Sequence, residues 1–271
     1  MNGNKIQIPV YIISLNNNTS FNFDKYFENV IIVSAIDARN TNPEEYLKKN
    51  IISHRAYQTL LEGRSRHSDF SGIGGIGLYL SYRKVMNLLA TQVKNGTLNT
   101  LVLICEQDAL ISNLKQFQIK LNELEKNMDI FDCAIFGGKI LKTIGSKNTV
   151  SKNTVSKNTV SNTTSNNLIN TSKKIELGFS NISDDNNNNN NSSNNNSSNN
   201  NNNELSKYFS GSKDVFYFLH TVVWTPKGIL KIQSHINDVI EIQLDAFFSS
   251  LSKIDKLNVL IEKTKTTKQT I

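Results

Sequence analysis

Glu106, Gln107 and Asp108 are the residues best suited to chemistry, because they follow directly on the apolar run Leu101–Cys105. In an extended chain the side chains at i and i+2 share a face, so this spacing predicts Glu106 and Asp108 pointing one way and Gln107 the other. Two carboxylates on one side of a sheet edge can hold a hard divalent cation such as Mn²⁺ or Mg²⁺, with substrate phosphates completing its shell. Acids at a solvated strand end have the same appearance, and the residues alone leave both readings open.

The elements that must position these acids are legible from apolar patterning. Val10–Leu15 (VYIISL), Val30–Ile36 (VIIVSAI), Leu101–Cys105 (LVLIC) and Ile130–Phe136 are near-continuous apolar runs, as expected of strands covered on both faces in a parallel sheet. They end at Asn16-Asn17-Asn18, Asp37, Glu106-Gln107-Asp108 and Gly137-Gly138. Between them Tyr79, Tyr82, Met86, Leu89 and Val93 step at helical spacing to a stop at Gly96. Leu114, Phe117, Leu121, Leu124 and Met128 repeat that spacing behind Ser112 as N-cap. Phe216–Val223 (FYFLHTVV) predicts a further strand, and Thr225-Pro226 start a helix through Ile240. Alternation of this kind implies an α/β sandwich, Rossmann-like, with a mostly parallel central sheet and ligands outside the carboxyl ends of its strands.

Residues 146–203 interrupt this pattern with three copies of SKNTV (Ser146–Val160), a Ser/Thr/Asn tract and an Asn/Ser run from Asn186 to Asn203. Such a segment cannot bury enough apolar surface to offset chain entropy and reads as a disordered insertion. Without its 58 residues, 213 of the 271 remain, enough for one domain. That domain is expected over 1–145 and 204–262, with 263–271 as a solvated tail. The net charge of +7 equals the seven lysines between 139 and 174, a stretch without an acid. The rest of the chain is neutral, which argues against a nucleic-acid partner. No run is long enough for a transmembrane segment. Two cysteines in apolar runs, Cys105 and Cys133, predict buried thiols and a reducing, cytoplasmic setting.

Six segments in order resemble glycosyltransferase family 25, the group that includes lipopolysaccharide and collagen hydroxylysine galactosyltransferases. VYIISLN (Val10–Asn16) resembles the opening strand of the family, and Ser34-Ala35-Ile36-Asp37-Ala38 its strand ending in a-v-D-g. Gly74–Tyr82 (GGIGLYLSY) is similar to the family's G-x-IGCylSH stretch, Val102–Asp108 to v-l-i-L-E-D-D, and Asp132–Gly137 to its D-x-x-x-x-G element. His220–Ile229 followed by Gln243-Leu244-Asp245 resembles its final element, h-x-Y-l-i-s-p-k-G-A and a later acid. The matches extend over about residues 8–250.

The resemblance implies a GT-A-like fold and transfer of a hexose, commonly galactose, from a UDP-sugar to a hydroxyl acceptor with inversion. It implies Mn²⁺ or Mg²⁺ on Glu106 and Asp108, donor contacts from Asp37, Ser81 and Gln107, and Asp245 as the base that deprotonates the acceptor. Departures accompany it: Gln107 replaces the middle acid, Tyr82 a histidine and Leu78 a cysteine, and no arginine follows the first strand between Asn16 and Asp24. Tyr82 is expected to alter the donor pocket, and Leu78 to be a packing change. These departures motivate the alternative of a catalytically degenerate, glycosyltransferase-like binding or scaffold protein. A plain α/β domain with accidental matches would lack a cleft containing Glu106, Asp108 and Asp37. His54, His67, His220 and His235 read as surface or satisfied core residues. Trp224 reads as core.

Overall fold

β-branched and aromatic runs build the sheet. The computed structural model describes residues 5–141, 199–212, 215–217 and 219–269. Its strands are β1 (Val10–Ser14), β2 (Val30–Ser34), β3 (Val102–Glu106), β4 (Ala109–Ile111), β5 (Cys133–Ile135), β6 (Lys139–Leu141), β7 (Phe209–Gly211), β8 (Val215–Tyr217), β9 (Thr221–Trp224), β10 (Val259–Glu262) and β11 (Thr267–Gln269). The helices are α1 (Pro43–Lys48), α2 (His54–Glu62), α3 (Gly74–Lys94), α4 (Leu114–Glu125), α5 (Asn199–Tyr208), α6 (Pro226–Ile236) and α7 (Leu244–Lys253).

Seven strands form the central sheet in the order β2-β1-β3-β9-β5-β10-β7. Five run the same way, whereas β9 lies antiparallel between β3 and β5 and β7 is antiparallel at the edge. The chain is thus mixed α/β, compatible with a Rossmann-like fold, and its sheet is more mixed than the apolar runs suggest. A strand buried on both faces carries no mark of its direction in its composition.

Burial on both faces is visible in β1. Tyr11 and Ile13 join the core formed with α3, α6 and α7, while Val10 and Ile12 join the opposite core with α4. This two-residue alternation is the strand period. Trp224 is fully buried, and its Nε1 donates to Tyr82 Oη at 3.1 Å. Both cysteines are buried free thiols, and burial pushes both well above the ordinary thiol range.

Several boundaries differ from expectation. α3 begins at Gly74, well before Tyr79. α4 is capped by Asn113, whose side chain accepts from the Gln116 amide, while Ser112 instead donates to the Thr266 carbonyl at 3.0 Å. α6 ends at Ile236, and Ile240 bridges to Ile52. The expected insertion overlaps α5, which starts at Asn199 because Leu205 and Phe209 behind it anchor in the core. Residues 142–198, most of that insertion, lie outside the described residues.

The stretch expected as a solvated tail is also structured, because β11 pairs antiparallel with β4. A buried ion pair holds it. Glu262 accepts from Lys120 Nζ at 2.8 Å, from the Thr266 amide and hydroxyl at 3.0 and 2.6 Å, and from the Gly137 amide at 2.9 Å. Lys120 and Glu262 are 2% and 4% exposed, so only this set of bonds makes their burial tolerable.

Candidate functional site

The parallel strands β2, β1 and β3 bring their carboxyl ends to one rim of the sheet, where Ile13 pairs with Glu106 and Ser14 with Ser34. Beyond these ends opens a cleft of about 230 Å³, bounded by Leu15, Asp37, Arg39, Gly74, Leu78 and the Glu106–Asp108 turn. One cleft therefore contains Asp37, Glu106 and Asp108 together.

α3 approaches this rim with its first turn, and Gly77 permits the approach. A Cβ at Gly77 would stand 2.4 Å from the Ile36 carbonyl oxygen and 3.2 Å from the Ala38 nitrogen. One turn further, buried Ser81 donates to the Gly77 carbonyl at 2.6 Å and accepts from the Ile36 amide at 2.7 Å. The Ser81 hydroxyl is thereby committed to backbone and sets the path of the chain leaving β2. The amino end of a 21-residue helix also gives this part of the cleft partial positive charge.

Asp37 is held by Arg39 through two bonds of 2.8 and 2.6 Å to the guanidinium and one of 3.1 Å to its amide. The Arg39 guanidinium lowers the Asp37 pKa to about 2. No arginine follows β1 between Asn16 and Asp24, whereas Arg39 follows β2, two residues beyond Asp37.

Gln107 turns toward β1. Its Oε1 accepts from the Leu15 amide at 2.9 Å and from Ser14 Oγ at 3.0 Å. Its backbone amide donates to the Ile13 carbonyl at 3.0 Å, and its carbonyl accepts from the Ser20 amide at 2.8 Å. Three of these bonds reach the end of β1 and Leu15 and the fourth reaches Ser20 in the loop beyond, so Gln107 acts as a structural pin for the acidic turn.

Beside the two acids stands His220, directly before β9. The register opposes Cys105 to Thr221, and the Glu106 amide donates to the His220 carbonyl at 2.9 Å. One ligand atom each from Glu106, Asp108 and His220 lies within 4.8 Å of the others, with His220 Nδ1 3.5 Å from Glu106 Oε1. Such a set can hold a divalent cation. His220, read from the sequence as a surface or satisfied core residue, is half-buried and stands beside the two acids. Burial works to lower the imidazole pKa, but the hydrogen bond to Glu106 and the charges of Glu106, Asp108 and Asp245 outweigh it and raise the value. Gln269 of β11 donates to Asp108 Oδ2, so the C-terminal strand also reaches this corner.

Asp245 does not line the cleft. It sits in the first turn of α7, where its charge reaches His220 and Tyr217. The two other departures exchange their expected roles: Tyr82 is buried against Trp224 and Phe248, whereas Leu78 lines the cleft. Asp132 is wholly buried at the other end of β5. There it accepts from Lys231 Nζ at 2.6 Å and the Asn258 amide at 2.7 Å.

No family model matches the chain, and no curated protein matches it.

Proposed function

We propose that the chain is a metal-assisted glycosyltransferase that moves a hexose, galactose by its family 25 resemblance, from a UDP-sugar to a hydroxyl acceptor. The observation that carries this reading is the meeting of Glu106, Asp108 and His220 beside a cleft whose facing residues include Asp37 and Arg39. Two carboxylates and an imidazole whose ligand atoms lie within 4.8 Å of one another are a donor set suited to a divalent cation such as Mn²⁺. The imidazole disfavours Mg²⁺, which prefers oxygen ligands and water.

A divalent cation bound there supplies charge stabilisation to a leaving diphosphate. Glu106, Asp108 and His220 would hold it. Arg39 and the amino end of α3 offer positive charge to the phosphates. Asp37, ionised at all physiological pH values, is suited to accept hydrogen bonds from ribose hydroxyls. On this reading the base that the resemblance implies is Asp245, which lies outside the cleft in the first turn of α7 with its charge reaching His220. The acceptor hydroxyl would therefore have to enter from that side to lose its proton as it attacks the anomeric carbon.

Calorimetry with UDP, with and without Mn²⁺, tests the site. Turnover of UDP-hexoses with Mn²⁺ tests the chemistry. The expected results are Mn²⁺-dependent UDP binding and slow donor hydrolysis, both abolished by Asp108→Ala; neither binding nor turnover would refute the reading. A second reading, a glycosyltransferase-like binding protein, is favoured by the position of Asp245 outside the cleft. Mn²⁺-dependent UDP binding with no hydrolysis and no transfer would select it.

A further inference from the structure

Arginine is scarce in this chain: five of its 30 basic residues are arginines and the other 25 lysines. Two have duties already visible. Arg39 stands on the cleft wall, and Arg83 donates to the carbonyls of Ile236 and Asp238 at 2.7 and 2.6 Å. The remaining three, Arg55, Arg64 and Arg66, line a single recess of about 530 Å³ at the end of α2. Lysine serves equally well to solvate a surface, whereas the planar guanidinium fork matches a tetrahedral oxyanion.

A buried acid shapes the recess. Asp69, 2% exposed, accepts from Ser65 Oγ at 2.9 Å and from the Arg66 amide at 2.7 Å, with Arg55 Nη2 3.4 Å away. These bonds fold the loop that carries Arg64 and Arg66. Arg64 is held further by the carbonyls of Arg66 and His67, which accept from its Nε at 3.0 Å and its Nη2 at 2.6 Å. Three of its five N–H groups stay uncommitted. Among the described residues neither Arg64 nor Arg66 forms an ion pair. Glu62 is the other acid on the lining, so three cations against two anions leave the recess positive. It also adjoins the helix that carries Asp245: Gln243, the N-cap of α7, donates its amide to the Ser68 carbonyl at 3.0 Å and its side-chain amide to the His67 carbonyl.

We propose that this recess binds the phosphate or pyrophosphate group of the acceptor substrate. The oxyanion site stands on its own residues, while its assignment to an acceptor rests on the glycosyl-transfer reading. A neutral hydroxyl acceptor would have no use for three arginines on the lining of one recess. A phosphorylated one would be anchored there, beside the helix that bears the base.

The test is titration of the full chain with inorganic pyrophosphate in EDTA, where the acidic corner holds no metal. The expected result is saturable binding, weakened about tenfold in R64Q and again in R64Q/R66Q. A fall of a few degrees in thermal midpoint is expected in both variants, because Arg64 also donates to the Arg66 and His67 carbonyls, so pyrophosphate binding is compared at a temperature where each variant is fully folded. Vesicles containing phosphatidic acid distinguish a lipid headgroup from a soluble ester, and no arginine-dependent sedimentation is expected. Absence of pyrophosphate binding, binding unchanged in R64Q/R66Q, or vesicle binding through these arginines without binding of soluble pyrophosphate would each overturn the proposal. UDP–Mn²⁺ binding by the same preparations separates the two failures. Retained UDP binding with no pyrophosphate site overturns the recess alone. Pyrophosphate binding without UDP binding overturns the acceptor assignment and leaves the oxyanion site.

Discussion

Replacing Gln107 with alanine removes an acceptor that takes bonds from the Leu15 amide and Ser14 Oγ. At about 0.5–1.5 kcal/mol net per bond the loss would be about 1–3 kcal/mol. Ser14 Oγ has a second acceptor in the Asn18 carbonyl at 3.0 Å, so part of the loss is recovered. The lower range, about 1–2 kcal/mol, therefore applies. In a domain of this size each kcal/mol moves Tm by about 2–4 °C, which places the expected fall at about 2–8 °C. Gln107→Glu keeps the accepting oxygen at the same reach and should stay near the parent Tm. Gln107→Asp, one methylene shorter, should behave as Gln107→Ala. The aspartate would restore an acid at the position where the resembled family has one, yet should not tighten Mn²⁺ binding, because this side chain is directed to β1. Differential scanning fluorimetry and Mn²⁺ calorimetry on the three variants measure both effects. An unchanged Tm for Gln107→Ala together with weakened UDP binding, or tighter Mn²⁺ binding by Gln107→Asp, would refute the argument that this residue is a pin.

Gly77→Ala should cost about 1–3 kcal/mol, because a Cβ 2.4 Å from the Ile36 carbonyl forces α3 away from the rim; a chemical-denaturation midpoint equal to the parent's would contradict the close approach. Glu262→Ala leaves Lys120 buried without its partner and should destabilise by about 3–5 kcal/mol, measured by urea unfolding. In EDTA the raised His220 pKa makes the folded state hold a proton more tightly than the unfolded chain. This contribution is full below about pH 6.5 and disappears as pH rises through the higher folded value, so Tm should fall from pH 6 to pH 8.5, with a smaller fall in His220→Asn; identical slopes in both proteins would count against the Glu106–His220 contact. His220→Ala should weaken Mn²⁺ binding at least about tenfold by calorimetry, whereas an unaltered affinity would remove His220 from the ligand set.

The strands that bear the cleft were legible because β1, β2 and β3 are β-branched runs ending in polar residues, a local signal. Glu106 and Asp108 do share one corner while Gln107 turns to β1, but β3 ends at Glu106 and residues 107–108 form a turn, so a turn rather than the strand period brings the two acids together. The missing parts depend on contacts between distant segments. His220 is a ligand candidate only because β9 lies antiparallel beside β3, and nothing around His220 encodes that neighbour. Gln269 reaches Asp108 only because β11 pairs with β4. The Tyr82 and Leu78 roles were exchanged because residues four apart on a helix lie near one another yet can face different surroundings, here the Trp224 core and the cleft. Arg39 carried a local signal, its spacing of two from Asp37.

The antiparallel register of β3 and β9 makes the meeting of His220 with Glu106 and Asp108 a by-product of backbone zipping. Sliding β9 by one residue would turn every one of its side chains to the opposite face, and the imidazole would leave the carboxylates without any change in composition. The four buried residues of β9 resist that slip, so the hydrophobic core serves as the jig that aligns these three side chains. On the metal reading, mutations that loosen Val222 or Trp224 should therefore blunt cation affinity from within the protein's interior, without altering any charged group.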